Sequence, residues 1–200
     1  MAGFDDSLVR EFFELNGLYV RRARKAGATT RRRRPEPDGE VHFHNPQATD
    51  AERGFQLFGS DLAGLPAGVA LVRDWHGLKA VTPTTIRRGD FLEFVREEAS
   101  AAAKEAWGQL PAGETTGVRI LVLPGLPSQE PARSESIRLL KEAGVDHVIS
   151  IRTIVENLVQ HAEAQAGPET PTLALLRLLR AYDMVRTTQL ELFGGASSTR

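Results

Sequence analysis

Cysteine is absent from the 200 residues of this chain. Its absence excludes a disulfide scaffold, a thiolate zinc site, an iron–sulfur cluster and a cysteine nucleophile. Long apolar runs are lacking as well, since runs such as Ile120–Val122 fall far below the roughly 18 residues of a membrane helix. The N-terminal residues are acidic and no apolar stretch follows them, so we expect no secretion signal and a cytoplasmic location.

Common enzyme signatures are also missing. The sequence contains neither a Gly-x-Gly-x-x-Gly nor a Gly-x-x-x-x-Gly-Lys pattern, which disfavours the nucleotide-binding enzymes that use them. It contains no Gly-x-Ser-x-Gly elbow, so no serine is marked as a hydrolase nucleophile. The net charge of -1 gives no overall attraction to polyanions.

The positive charge is unevenly distributed along the chain. Eight basic residues and no acid lie between positions 21 and 34, within a predicted basic loop at 21–38. This loop is either a surface that grips phosphates or a solvated or protein-docking arm. The eight residues are Arg21, Arg22, Arg24, Lys25, Arg31, Arg32, Arg33 and Arg34.

The apolar pattern predicts an alternation of helices and strands. We expect helices at 4–15, 90–107, 135–143, 154–164 and 172–182, and strands near 18–20, 40–44, 54–58, 68–75, 118–123 and 147–151. The strand, short helix and strand between 118 and 151 form a βαβ-like unit, which favours an α/β fold. We expect a single domain over 1–193 with C-terminal helices in 152–185, followed by a disordered tail at 194–200.

This order of elements resembles the PD-(D/E)XK nuclease family, which has a restriction-endonuclease-like fold. The segment FFELNGLYVRR (12–22) is similar to the opening helix and first strand of that family. GEVHFHNP (39–46) is similar to its second strand, and GVALVRDWHG (68–77) to its third. The resemblance covers residues 5–151 and implies an α/β domain with a mixed sheet flanked by helices, here with extra C-terminal helices.

The resemblance also implies which residues occupy the catalytic positions. In the family, an Asp and a Glu on neighbouring strands hold a divalent metal, and a Lys two residues after the Glu lies on the same strand face. Here these positions carry His42, Leu71 and Arg73. Leucine cannot bind a metal, and arginine is always protonated and cannot act as a general base. The implied catalytic site is therefore degenerate and uses no cofactor.

A relocated metal site is the alternative. Glu40, His42, His44 and His76 could hold Mg²⁺ or Mn²⁺ in an active nuclease, although imidazoles suit transition metals better than Mg²⁺. We favour the simpler interpretation that Glu40, His42 and His44 form the solvent-facing side of a strand whose opposite side, with Val41 and Phe43, is buried.

The function we predict is that of a catalytically inactive nuclease-like domain, which binds DNA or RNA or acts within an assembly. The basic loop and Arg73 would provide the nucleic-acid contacts. A third hypothesis is a self-associating subunit that uses the leucine-rich helix around Leu173–Leu179 as its interface. We expect no membrane partner and a homo-oligomer or a protein partner.

Overall fold

The computed structural model describes residues 4–22, 40–45, 47–49, 52–72, 79–93, 95–96, 117–164 and 169–185. The helices are α1 (Phe4–Leu15), α2 (Pro83–Ile86), α3 (Gly89–Glu93), α4 (Ala132–Glu142), α5 (Ile151–Ala164) and α6 (Pro171–Ala181), with a 3-10 helix at Gly59–Gly64. The strands are β1 (Tyr19–Arg22), β2 (Glu40–His44), β3 (Ala67–Val72), β4 (Val118–Leu123) and β5 (His147–Ser150). None of the described helices is long and apolar enough to cross a membrane.

Two compact units make up the chain, Met1–Asn157 and Leu158–Arg200, and the division between them falls within α5. The first unit contains the sheet. The second contains the end of α5 and the whole of α6.

The five strands form one mixed sheet in the order β1-β2-β3-β4-β5. The first three strands pair antiparallel, whereas β3, β4 and β5 pair parallel. Beyond β5, Gln56 forms a single parallel bridge to Val148. The predicted α/β class with a mixed sheet and flanking helices is therefore confirmed, while the strand predicted at 54–58 is reduced to that bridge.

A different helix packs against each of the two faces of this sheet. Phe13 of α1 stacks on Phe43 of β2, with ring centroids 4.8 Å apart, so this side is named the α1 face. On the opposite side, Leu71 and Leu121 pack in one core cluster with Leu140 of α4, and this side is named the α4 face. All six residues of β3 are buried, as expected for a strand that lies between helices.

Helix α5 begins three residues earlier than the predicted start at 154. The Ser150 hydroxyl oxygen accepts a hydrogen bond from the backbone N–H of Thr153 (3.0 Å), so Ser150 caps the helix directly after β5. The apolar residues between 148 and 154 had obscured this boundary, because a strand and a buried helix turn both favour them.

In the second unit, α6 begins at a well-formed cap. The Thr170 hydroxyl oxygen accepts from the backbone N–H of Leu173 (3.2 Å), and Pro171 occupies the first helical position. Leu173 is fully buried, whereas Leu175 and Leu178 are about half exposed. The leucine-rich helix thus presents only part of its apolar surface to its own unit.

Candidate nucleic-acid interface

Two of the three degenerate catalytic positions lie on the same side of the sheet. His42 on β2 pairs with Val69 on β3, and Leu71 lies two residues further along β3. Because strand side chains alternate with period two, His42, Val69 and Leu71 all belong to the α4 face. Arg73, the third position, lies outside the described residues.

Leu71 is a core residue. Only 2% of it is exposed, and it packs in the cluster of the α4 face with Val69, Phe91 and Leu121. A divalent metal needs oxygen ligands and usually retains several waters when it is Mg²⁺. The position that the resemblance assigns to a metal-binding Glu is thus occupied by hydrocarbon and closed to solvent.

His42 is buried as well, with 6% of its surface exposed, and His44 is half-buried. The expectation that His42 belongs to a solvent-facing strand side is therefore wrong. An antiparallel strand with this alternation commonly has one face in water, but Val41, His42 and Phe43 are all buried, so both faces of β2 are covered.

Two of the four residues of the relocated metal site have described side chains. His42 and His44 lie on one strand face, two residues apart, but the side chain of Glu40 and all of His76 lie outside the described residues. Among the residues that the structure describes, no group of three or more His, Asp or Glu side chains could hold a metal ion.

Of the predicted phosphate-binding residues, the structure describes the first two. Arg21 on the outer strand β1 is exposed and pairs with His42, which places Arg21 on the α4 face. Arg22 pairs with Val41 through the backbone, and its side chain is outside the described part of the structure. The other seven, Arg24, Lys25, Arg31, Arg32, Arg33, Arg34 and Arg73, lie outside the described residues.

Arg119 is a basic residue of this face that the sequence analysis missed. It pairs with Val69 on β3, so Arg21, His42, Val69 and Arg119 form one row across four strands. Asp146 accepts a hydrogen bond from the Arg119 backbone N–H (2.8 Å), and its Oδ2 lies 3.5 Å from the Arg119 Nε. Arg119 is therefore partly neutralised, and only the strand register could have placed it in this row.

The serines after β4 have structural roles. Glu130 accepts hydrogen bonds from the Oγ (2.6 Å) and the backbone N–H (3.1 Å) of Ser134, and these two bonds hold the pKa of Glu130 below its ordinary value. A carboxylate with a lowered pKa is a weak base and does not activate the hydroxyl. The buried Ser136 hydroxyl donates to the carbonyl oxygen of Val81 (3.3 Å).

Comparison of the chain with protein-family models, with curated proteins and with solved structures found no match. The function is therefore inferred from the residues and their geometry.

Proposed function

We propose that this chain is a catalytically inactive, nuclease-like domain that binds nucleic acid. The observation that carries the proposal is the burial of Leu71 in the core of the α4 face, at the position of a metal-binding Glu in the PD-(D/E)XK family. Without that carboxylate, the second and third strands lack a pair of hard oxygen ligands, and hydrolysis of a phosphodiester loses its metal.

The sheet supports the nuclease-like part of the proposal. Helix α1 leads into an antiparallel trio, β1-β2-β3, and two parallel strands then extend the sheet through helical crossovers. This is the order that the sequence resemblance implies. The same order brings His42 and Leu71 to one face, where the catalytic pair would stand.

Charge supports the binding part. The basic segment 21–34 begins on β1, where Arg21 is exposed on the same face as His42. Lysine and arginine side chains that neutralise phosphates release condensed counterions, so affinity falls steeply as salt rises. Loss of the metal ligands leaves this electrostatic attraction intact, which is why the proposed domain binds without cleaving.

A salt titration tests the binding. We expect the chain to bind a labelled 30-base-pair DNA duplex, with an affinity that falls steeply between 50 and 200 mM salt, by about 10³-fold or more if six phosphates are contacted. Simultaneous replacement of Arg31, Arg32, Arg33 and Arg34 by Ala should lower the slope of log K against log salt by about 3 to 4, because each lost phosphate contact contributes about 0.9. Fluorescence anisotropy at four salt concentrations measures both quantities.

A control with the same net charge separates local contacts from overall charge. Replacement of the exposed Arg87, Arg88, Arg138 and Arg152 by Ala also removes four positive charges and takes the net charge from -1 to -5. We expect this control to keep most of the salt slope. Equal losses in the two variants, or no binding by the unaltered chain at 50 mM salt, would contradict the proposal.

A further inference from the structure

The outer strand β1 presents an exposed tyrosine on the α4 face. Tyr19 is 68% exposed and lies two residues before Arg21, so the two side chains share that face. The alternate residues Leu18 and Val20 are buried and half-buried, which shows that the apolar side of the strand is the other one. Most of Tyr19 therefore lies in solvent and adds little to the packing of the core.

The extent of the core cluster on the α4 face explains this exposure. Its strand members, such as Val69 and Leu121, come from β3, β4 and β5, and Leu140 of α4 is one of the helical residues that pack against them. Among the described residues, the cluster contains no side chain of β1 or β2. Tyr19 thus lies two strands beyond the edge of this cluster.

A second planar ring lies beside Tyr19. His44 is directly opposite Tyr19 in the β1–β2 ladder, which places their β-carbons about 4.5 to 5.5 Å apart. His44 is half-buried, and the next residue of this row, Ala67 on β3, is small and buried. Arg21 lies roughly 7 Å further along β1 on the same face. One corner of the sheet therefore combines an exposed phenol ring, an imidazole and a guanidinium.

We propose that Tyr19 stacks on an unpaired base and that the nucleic acid bound by this domain is single-stranded. Tyrosine and histidine rings stack on bases that are splayed out of a helix, whereas the bases of a duplex are stacked on each other. The basic segment 21–34 starts two residues after Tyr19 and contains no acid, so it supplies positive charge for the backbone next to the stacked base. This inference rests on the proposed nucleic-acid binding and names its substrate class.

Replacement of the ring tests the stacking. Tyr19→Thr keeps a strand-forming residue at this exposed position, and it should weaken the binding of a labelled 20-nucleotide thymidine DNA or uridine RNA by about 5-fold or more. The loss is expected in whichever of the two strands binds more tightly. The slope of log K against log salt should not change, because the substitution removes no charge. Tyr19→Phe retains the ring and should retain the affinity.

Two controls isolate the ring and the base. Tyr182→Thr changes the only other tyrosine of the chain, which is 73% exposed at the end of α6, and it should bind like the unaltered protein. An abasic 20-nucleotide strand has the same phosphates but no bases, so the unaltered chain and Tyr19→Thr should bind it equally. Circular dichroism should show the same fold for all three variants.

The outcomes separate this inference from the proposed function. An unchanged affinity of Tyr19→Thr for both oligonucleotides, or an equal loss with the abasic strand or in Tyr182→Thr, would overturn the stacking while leaving electrostatic binding in place. If the unaltered chain binds neither the single strands nor the duplex at 50 mM salt, the proposed function fails and the stacking fails with it.

Discussion

Gly68→Ala is expected to lower the free energy of unfolding by about 3 kcal/mol or more, the upper end of what overpacking a core costs. A β-carbon at Gly68 would lie 2.2 Å from the carbonyl oxygen of Val118 and 2.8 Å from Cζ of Phe43. The oxygen belongs to the backbone of the neighbouring parallel strand, so it cannot move away without opening the β3–β4 ladder. Urea denaturation followed by circular dichroism measures the loss.

Gly89→Ala is the matched control for this prediction. A β-carbon there would have no atom within 4 Å, and the residue is exposed at the start of α3. The change should be smaller than about 1 kcal/mol and should favour the folded state, because alanine restricts the unfolded chain. Similar effects of the two substitutions would contradict the close approach of β3 and β4 at Gly68.

Leu71→Glu is expected to destabilise the protein strongly, and more so at high pH. Burial in the α4 face should raise the pKa of the introduced carboxyl above its unfolded value of about 4.3. Below the unfolded pKa the carboxyl is neutral in both the folded and the unfolded state, so its ionisation does not change the stability. Above the folded pKa it is charged in both states, and the stability is lowered by the full amount that corresponds to the pKa difference. A rise of two units corresponds to about 2.7 kcal/mol.

Leu71→Gln separates this charge effect from the loss of apolar packing, because glutamine has nearly the same shape and does not ionise. The two variants should have similar stabilities at pH 4.5, and Leu71→Glu should be less stable by about 2 to 3 kcal/mol at pH 7.5. Urea denaturation at both values gives the comparison, with and without 10 mM Mg²⁺. Equal stability at pH 7.5, or rescue by Mg²⁺, would mean that position 71 is an open site.

The strands of the sheet were largely predictable from the sequence. VRILVL at 118–123 is a continuous apolar run, and a strand covered on both faces requires one. Two features beside β5, the helix cap at Ser150 and the bridge at Gln56, were not predicted from the sequence. The Ser150 cap is local, but the apolar residues on both sides of it fit a strand as well as a helix. The single Gln56–Val148 bridge depends on which segment lies beside β5, and no local pattern records that.

The candidate site was predictable at the level of residue type but not of burial. The sequence shows that His42 and Leu71 replace two acids of the family pattern. It does not show that His42 is buried, because the alternation EVHFH fits a strand with one face in water, and the covering of the second face depends on packing that no local pattern records. The row that joins Arg21, His42 and Arg119 depends on the same pairings.

Incubation with supercoiled plasmid tests most directly whether this chain binds nucleic acid without cutting it. Excess protein is mixed with plasmid in low salt with Mg²⁺ or Mn²⁺, and the DNA is run on a gel before and after removal of the protein. We expect retarded plasmid before removal and fully supercoiled plasmid afterwards. Nicked or linear plasmid that forms only with metal, and whose formation EDTA stops, would contradict the account.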